Sequence, residues 1–379
     1  MTYGRARLWL GISGVGSLVV MAATALALGV PLNLSRSTAF GFEEALQLLA
    51  VIGLYAVWLA PLDFLGGYWL PKRFDKSDSS FGPWLKGYVG AVSLQALIFA
   101  LCGSWILLFE QWLGRGGGLL AVGILTAMGW QIRGLVIYSQ ATDSKLSSDR
   151  LREAAALLAP WQIEVPRTLV IAHSDRGYTG GIIGLGKHAT IVIPQAWLSF
   201  DNPELATALA RRSAAISSGS YVRGLTLAFA WNLIGFGLCS LIPADGLASI
   251  AGLVTTLCWF TLWSFIGLLV LPTVSRNASL LIDDELVRRG VPLEWVANTA
   301  ASMDQLQDDE PARPRWIETI FHPVPSVQGR SRPDRGRGIG AWNVARTTLF
   351  FAWPCLGLLS RSVHCNLGRP ELWTMLPTD

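Results

Sequence analysis

Charged residues are scarce in this sequence. Asp, Glu, Lys and Arg make up 15% of the chain, whereas about 25% is usual in a soluble domain. This shortage excludes an ordinary soluble protein. Long apolar runs take the place of the missing charges, and we predict that they are membrane-spanning helices, since roughly 20 apolar residues cross the hydrocarbon layer. Seven runs are predicted to span, at residues 8–30, 45–70, 85–109, 117–138, 225–242, 247–271 and 341–359.

The seventh run departs from this pattern, because Arg346 lies inside it and Pro354 interrupts it. The runs divide the chain into five regions. We predict four spans in residues 1–138, a cytosolic insert in 139–223, a two-span hairpin in 224–271, a second cytosolic region in 272–340, and the last span with a tail in 341–379.

Basic residues are nearly absent from one side of this arrangement. With the N-terminus in the cytoplasm, the inner segments hold 24 of the 30 Lys and Arg residues, and the outer segments hold Arg36, Arg115, Arg361 and Arg369. Lys and Arg accumulate in cytoplasmic loops. We therefore predict a multi-pass protein whose N-terminus and two larger soluble regions are cytoplasmic. The net charge of +4 follows from this topology, and no basic face interleaved with aromatic residues indicates a nucleic-acid partner.

Histidine and cysteine are too sparse for an ordinary metal site. No two of the four histidines, His173, His188, His322 and His364, are three or four residues apart, and the five cysteines show no CxxC spacing. A site formed by His173, Asp175 and His188 on one hairpin remains an alternative. A Ser-His-Asp arrangement also stays open, although no G-x-S-x-G stretch supports it.

The cytosolic insert is predicted to be a small α+β unit. Its elements are a helix at 147–159, strands at 167–172 and Thr190–Pro194, a glycine-rich turn at 176–188, and a helix at 202–216. Residues 181–187 satisfy GxxxxGK, but a phosphate loop also needs Ser or Thr next and a following helix. His188 and a strand follow instead, so we predict a glycine-rich hairpin and no nucleotide site.

The second cytosolic region begins with predicted helices at 275–289 and 293–306. From residue 307 to 340 the composition changes to Asp, Glu, Pro, Arg and Gly, which predicts a flexible charged segment. Basic residues just inside the membrane are attracted to anionic lipid. We therefore expect this segment to lie on the membrane surface, with Arg330, Arg332, Arg335 and Arg337 as its basic residues. The alternative is a solvated linker whose charges only fix the topology.

The helix at 202–216, "NPELATALARRSAAI", resembles that of the HtpX and CAAX-processing membrane zinc metallopeptidases. The resemblance covers residues 167–330. Tyr178-Thr179-Gly180-Gly181 falls where the family has Asn-Ala-Phe-x-x-Gly, two spans follow the helix, and residues 275–283 resemble S-R-x-x-E-x-x-A-D. His322-Pro323 matches a late His-Pro of the family, although Arg330 lies two residues farther on than the family's arginine.

The resemblance implies a zinc site, yet its residues are missing. The family binds zinc through the two His of HExxH and a later Glu, and the Glu of HExxH activates water. A guanidinium stays protonated and offers no lone pair, and alanine offers no ligand. We therefore expect no zinc and no other cofactor. The motif positions are occupied by Arg211, Arg212, Ala215 and Ser279, and only Asp283 agrees with the family.

These observations predict a membrane pseudopeptidase that binds protein or peptide partners and is surrounded by membrane lipid. In the family the hairpin edge presents substrate, so an extended peptide is expected to pair with Tyr178, Thr179, Gly180 and Gly181. One alternative is an active zinc metalloendopeptidase with a rearranged site. The other is a transporter or channel, although charges within spans such as Asp63, Arg133 and Arg346 are expected in structural pairs or at interfaces.

Arg211 and Arg212 should face the cleft that holds the metal in the family. Two buried cations are costly unless acids pair with them. We therefore predict that one of them forms an ion pair with Asp283, or with the neighbouring Asp284 or Glu285, and bridges the two helices in place of zinc. The alternative is that both arginines point to water and the helices meet through Ala208, Ala215 and Leu281 alone.

Overall fold

A computed structural model of the protein describes residues 2–77, 80–141, 145–173, 177–307, 309–330 and 338–373. The chain is mostly helical, and six helices of the described part are long and apolar enough to cross a membrane. A turn of π-helix, Leu65–Trp69, joins the second and third helices into one spanning unit. The N-terminal group consists of α1 (Tyr3–Ala27), α2 (Phe42–Phe64), α3 (Leu70–Arg73), α4 (Phe81–Leu113) and α5 (Gly117–Ser139).

These helices carry apolar residues on all sides, so their outer faces are suited to contact with lipid. Large apolar side chains such as Val57 and Leu135 are 71% and 69% exposed. Burying such a side chain away from water gains about 1.5–3 kcal/mol, so this surface is unfavourable in water. A helix that is hydrophobic all round is typical of a membrane span. The inner faces pack into one core through residues such as Leu59, Phe99 and Ile106.

The segment after α5 folds as a small α+β unit. It contains α6 (Lys145–Ala156), β1 (Thr168–Ile171), β2 (Gly181–Ile183), β3 (Thr190–Pro194) and α7 (Asn202–Ser217). The central strand is β3, which pairs in parallel with β1 and antiparallel with β2. Its side chains Ile191 and Ile193 are fully buried in a core shared with α7.

The glycine-rich stretch differs from the predicted simple turn, because β2 lies inside it. The hairpin is therefore formed by β2 and β3, while β1 and β3 run in the same direction. Gly180 and Gly184, with φ of 70° and 75°, flank β2 in a conformation that glycine adopts without strain. The lysine of GxxxxGK lies in a single 3₁₀ turn, Gly186–His188, before β3, in agreement with the hairpin interpretation.

Two further spanning helices follow α7. They are α8 (Ser220–Ser240) and α9 (Ile250–Arg288), and α9 continues for 39 residues with Pro272 inside it. The helix predicted at 275–289 is therefore the last part of α9 and no separate element. This continuity places Asp283 on a helix that is long and apolar enough to cross a membrane, and α9 packs directly against α7.

The segment predicted to be flexible contains ordered helices. After α10 (Leu293–Gln307) come α11 (Arg315–Phe321), which packs on α9, and α12 (Val327–Arg330). Ile317 is buried, and the buried Glu318 carboxylate accepts hydrogen bonds from the backbone and hydroxyl of Ser326. These contacts hold Glu318 and Ser326 together in the described part of this segment, residues 309–330, despite its polar composition. Arg332, Arg335 and Arg337 lie outside the described residues.

Residues 341–359 do not form the predicted seventh span. They contain α13 (Val344–Phe351) and lead into α14 (Leu359–Ser362). An eight-residue helix is about 12 Å long at 1.5 Å per residue, far short of a hydrocarbon layer of roughly 30 Å. Pro354 and the positive φ of Leu356 fall between the two helices, where a continuous helix would be broken.

The chain after α13 returns to the end of the bundle at which α1 begins, called here the N-terminal end. The Arg7 guanidinium donates to the backbone carbonyls of His364 and Leu367. The prediction of seven spans placed Arg361 and Arg369 on the outer side of the membrane. They lie instead in the half of the protein that contains Arg7. The loops at the opposite end then hold only two basic residues, Arg36 and Arg115.

A buried ion pair ties this returning segment to α2. Arg361 donates to the carboxylate of Asp63 through both Nε and Nη2, and its other contacts are Gln95 Oε1 at 2.9 Å and the Tyr88 hydroxyl at 2.9 Å. The backbone N–H of Gly368 donates to the second oxygen of Asp63 at 2.7 Å. Asp63 thus forms a structural pair, one of the two placements predicted for it. Arg133 is also buried, with its guanidinium over the rings of two aromatic residues, Trp130 and Phe350.

Candidate functional site

The site where α7 meets α9 contains the predicted ion pair. Arg211 Nη1 lies 3.0 Å from Asp283 Oδ1, and both side chains are almost completely buried. The atoms are at ion-pair distance, but their orientation does not meet hydrogen-bond geometry. The pair confirms the prediction that an arginine of α7 forms an ion pair with Asp283 and so joins α7 to α9. The alternative, in which both arginines point to water, is wrong because Arg211 and Arg212 are both 0% exposed.

Arg330 is a second cation on the same carboxylate. Its Nη1 donates to Asp283 Oδ2, and Arg330 is itself 6% exposed. The prediction that Arg330 lies on the membrane surface is therefore wrong, because burial beside Asp283 stabilises it elsewhere. The signal that could have indicated this role is its place after His322-Pro323, although Arg330 lies two residues farther on than the arginine of the family that this segment resembles.

Arg212 faces away from Asp283, toward the start of β2. Its guanidinium donates to the Thr179 carbonyl at 2.6 Å and to the Ala208 carbonyl at 3.1 Å. The same group stacks over Trp197, with 4.6 Å between the guanidinium carbon and the ring centroid. Arg212 thus fastens α7 to the chain before β2 through charge-assisted hydrogen bonds.

The remaining motif positions do not fit a metal. Ala215 is fully buried in the apolar core and Ser279 is 3% exposed, so neither position offers the imidazole or carboxylate that zinc binds. Arg211 and Arg212 carry no lone pair for a metal. Within the described ranges, no three His, Cys, Asp or Glu side chains come together as a possible metal site.

The four residues predicted to pair with a peptide are buried. Tyr178 is 6% and Thr179 1% exposed, and Gly180 and Gly181 are buried as well. Burial raises the pKa of the Tyr178 hydroxyl, so it stays protonated at neutral pH. The edge of β2 is also occupied, because the Tyr221 hydroxyl is 3.2 Å from the Ile182 carbonyl and 3.1 Å from that of Gly184.

The histidines are arranged differently from the alternative hairpin site. His188 is exposed, and His173 stacks on Tyr178 with ring centroids 4.0 Å apart, while Asp175 lies outside the described residues. His322 and His364 instead come together, with ring centroids 5.2 Å apart. Sequence reasoning separated them because it placed a membrane span between them.

A cavity of about 80 Å³ lies beside this cluster, at the N-terminal end of the bundle. Tyr178 and Thr179 form part of its wall, together with His322 and His364. Among the described residues most of its charged lining is basic, and we call it the basic cavity. The charged residues that line it in the described part of the chain are Arg7, Arg313, Arg330, Arg346, Arg369 and Asp304.

Comparison with known proteins gives no family for this chain. No family model matches it, and a search of curated proteins finds no significant match.

Proposed function

We propose that this protein is a membrane pseudopeptidase, a metallopeptidase-like scaffold that binds a partner and performs no hydrolysis. The observation that carries this proposal is the Arg211–Asp283 ion pair between α7 and α9. The resemblance puts Arg211 at the first His of HExxH and Asp283 at the Asp of the later motif, so the proposal takes this ion pair as the link between two helices that zinc joins in that family. An arginine can join the helices by charge, but it cannot bind zinc or take a proton from water.

The proposed partner is anionic and binds in the basic cavity. The β2 edge is a poor peptide site, since Arg212 and Tyr221 already hold the carbonyls of Thr179, Ile182 and Gly184. The cavity next to it presents several guanidinium groups, which bind phosphate or carboxylate through charge-assisted hydrogen bonds. A protein or peptide client would therefore bind through an acidic group in the cavity, and not by adding a strand at the β2 edge of the sheet.

Metal analysis together with a proteolysis assay tests the loss of catalysis. We expect the detergent-purified chain to contain far less than one zinc per molecule and to leave an unstructured protein substrate uncut. About one zinc per chain, removed by a chelator with a loss of stability, would overturn the proposal in favour of an active metalloendopeptidase. Solute flux in proteoliposomes, absent from protein-free vesicles, would favour a transporter or channel.

A restored variant supplies the positive control for the same assay. Arg211→His, Arg212→Glu, Ala215→His and Ser279→Glu together recreate the two His, the base and the third ligand that a zinc peptidase uses. We expect this variant, checked for folding by size-exclusion chromatography, to take up zinc. A folded variant without zinc would contradict the metallopeptidase-like geometry of α7 and α9.

A further inference from the structure

The basic cavity adjoins an apolar cleft, and we propose that the two together bind one anionic phospholipid. The phosphate would lie in the cavity and an acyl chain in the cleft. This inference rests on the proposed function, because it names the anionic partner of the same site.

The apolar cleft has a volume of about 260 Å³ and lies between α1, α9 and α13. Both α1 and α9 belong to the spanning helices. Leu269, on the wall of the cleft, is 41% exposed, so the cleft opens on a surface that faces lipid. Its apolar lining includes Leu8, Ile12, Val15, Phe265, Leu268 and Leu349.

The cavity and the cleft share part of their walls. Pro323, Arg346, His364 and Cys365 line both. A ligand that fills both spaces must therefore be polar at one end and apolar at the other, with the change at Arg346. A phospholipid has this form, and the membrane around α1 and α9 supplies it.

Arg346 stands at this junction with its charge uncompensated. Among the described residues its side chain has no ion pair and no hydrogen bond, and its Nε is buried. A buried guanidinium nitrogen without a partner is unfavourable. A phosphate oxygen at the junction would satisfy it, since the planar guanidinium matches phosphate geometry.

Arg7 adds a second charge that no acid balances in the described part of the chain. Its guanidinium donates to the carbonyls of Gly66, His364 and Leu367 and to the Tyr3 hydroxyl, all of which are neutral. The cavity arginines Arg313 and Arg330 differ, because each has a carboxylate partner. Arg7 and Arg346 therefore supply the attraction for an anion.

The cleft favours a lipid over a soluble anion. Inorganic phosphate or an acidic peptide would leave the apolar walls of the cleft unfilled, whereas an acyl chain buries apolar surface there. The basic cavity lies at the N-terminal end of the bundle, which agrees with a phospholipid as the ligand. In a membrane the phosphate of a phospholipid is level with the ends of the spanning helices. The N-terminal end of the bundle is also its more basic end, where anionic lipid is attracted.

Two single substitutions address the two ends of the site. Arg346→Gln removes the charge at the junction, and Arg346→Lys keeps it. Gly16→Leu fills the cleft, because Gly16 lines it and nothing lies within 4 Å of the position of an added Cβ. Arg73→Gln and Gly53→Leu are the matched controls: Arg73 is an exposed arginine of α3, and Gly53 has equally open space on α2.

Native mass spectrometry of the full chain, with equal amounts of dioleoyl phosphatidic acid and dioleoyl phosphatidylcholine, measures the lipid that stays bound. We expect one phosphatidic acid per chain, retained at least fivefold over phosphatidylcholine. Arg346→Gln should reduce this preference about fivefold, the change that roughly 1 kcal/mol per basic residue gives. Arg346→Lys should restore most of it, Gly16→Leu should reduce retention of both lipids, and the controls should behave like the parent.

Competition separates this inference from the proposed function. Equal retention of the two lipids, or an unchanged preference in folded Arg346→Gln, would overturn the lipid site. Displacement of phosphatidic acid by millimolar inorganic phosphate alone would show a headgroup site without a role for the cleft, which also overturns it. An acidic peptide that binds the parent but not Arg346→Gln, with no lipid retained, would reject the lipid and leave the proposed function standing.

Discussion

Two buried arginine–aspartate centres in the described part of the chain differ in the number of arginines that contact the carboxylate. In the membrane bundle Arg361 faces Asp63 one to one. Where α7 meets α9, the single carboxylate of Asp283 contacts both Arg211 and Arg330. A buried charge is costly unless an opposite charge compensates it. The first centre is therefore a pair within the bundle, whereas in the second one carboxylate holds arginines from two different helices, α7 and α12.

Removing Arg361 from the first centre should have the largest effect, because among the described residues Asp63 forms an ion pair with Arg361 alone. Arg361→Met leaves Asp63 buried without its partner, which typically costs about 3–5 kcal/mol. We expect a decrease of that size in the free energy of unfolding, measured by equilibrium unfolding in mixed detergent micelles. Arg73→Met, at an exposed arginine, serves as the control. A change below about 1 kcal/mol in Arg361→Met would show that the bundle does not depend on this pair.

Removing one cation from the second centre should cost less. After Arg330→Met, Asp283 keeps its contact with Arg211, so the buried carboxylate still has a cation beside it. We expect a decrease of about 1–2 kcal/mol in the same unfolding experiment. A loss as large as that in Arg361→Met would contradict this account, because it would mean that the contact with Arg211 does not suffice to hold Asp283 in place.

The smallest expected effect concerns the edge of β2. Tyr221→Phe removes the hydroxyl that contacts the Ile182 and Gly184 carbonyls and should lower the free energy of unfolding by about 1 kcal/mol. Tyr68→Phe, whose hydroxyl contacts only the exposed Lys72 side chain among the described residues, is the control. Equal stabilities of the two variants would show that this edge is free and would reopen it to peptide pairing.

Local patterns in the sequence predicted most of the helices. Apolar runs of sufficient length predicted the six spanning helices, and Pro203 and Glu204 indicated the start of α7. The ion pair between Arg211 and Asp283 was predictable for a different reason. Two adjacent cations on a buried helix face require an acid, and the resemblance placed Asp283 opposite them.

The errors arose where distant residues decide the structure. Residues 341–359 are apolar enough to suggest a span, but this composition suits equally a buried segment packed among other helices. No local pattern showed that Arg361 returns to Asp63, 298 residues away in the sequence. Arg330 was misplaced for the same reason, since its partner Asp283 lies on another helix and local composition indicated only a charged linker.

The central claim is that an ionic contact between α7 and α9 takes the place of a metal, and a double-mutant cycle on Arg211 and Asp283 tests it most directly. Equilibrium unfolding of the parent, Arg211→Met, Asp283→Asn and the double variant gives the coupling energy. We predict a coupling of at least about 1 kcal/mol, with the double variant less destabilised than the sum of the single variants. Single effects that add to within about 0.5 kcal/mol would show that the two residues do not stabilise each other, and would contradict the account.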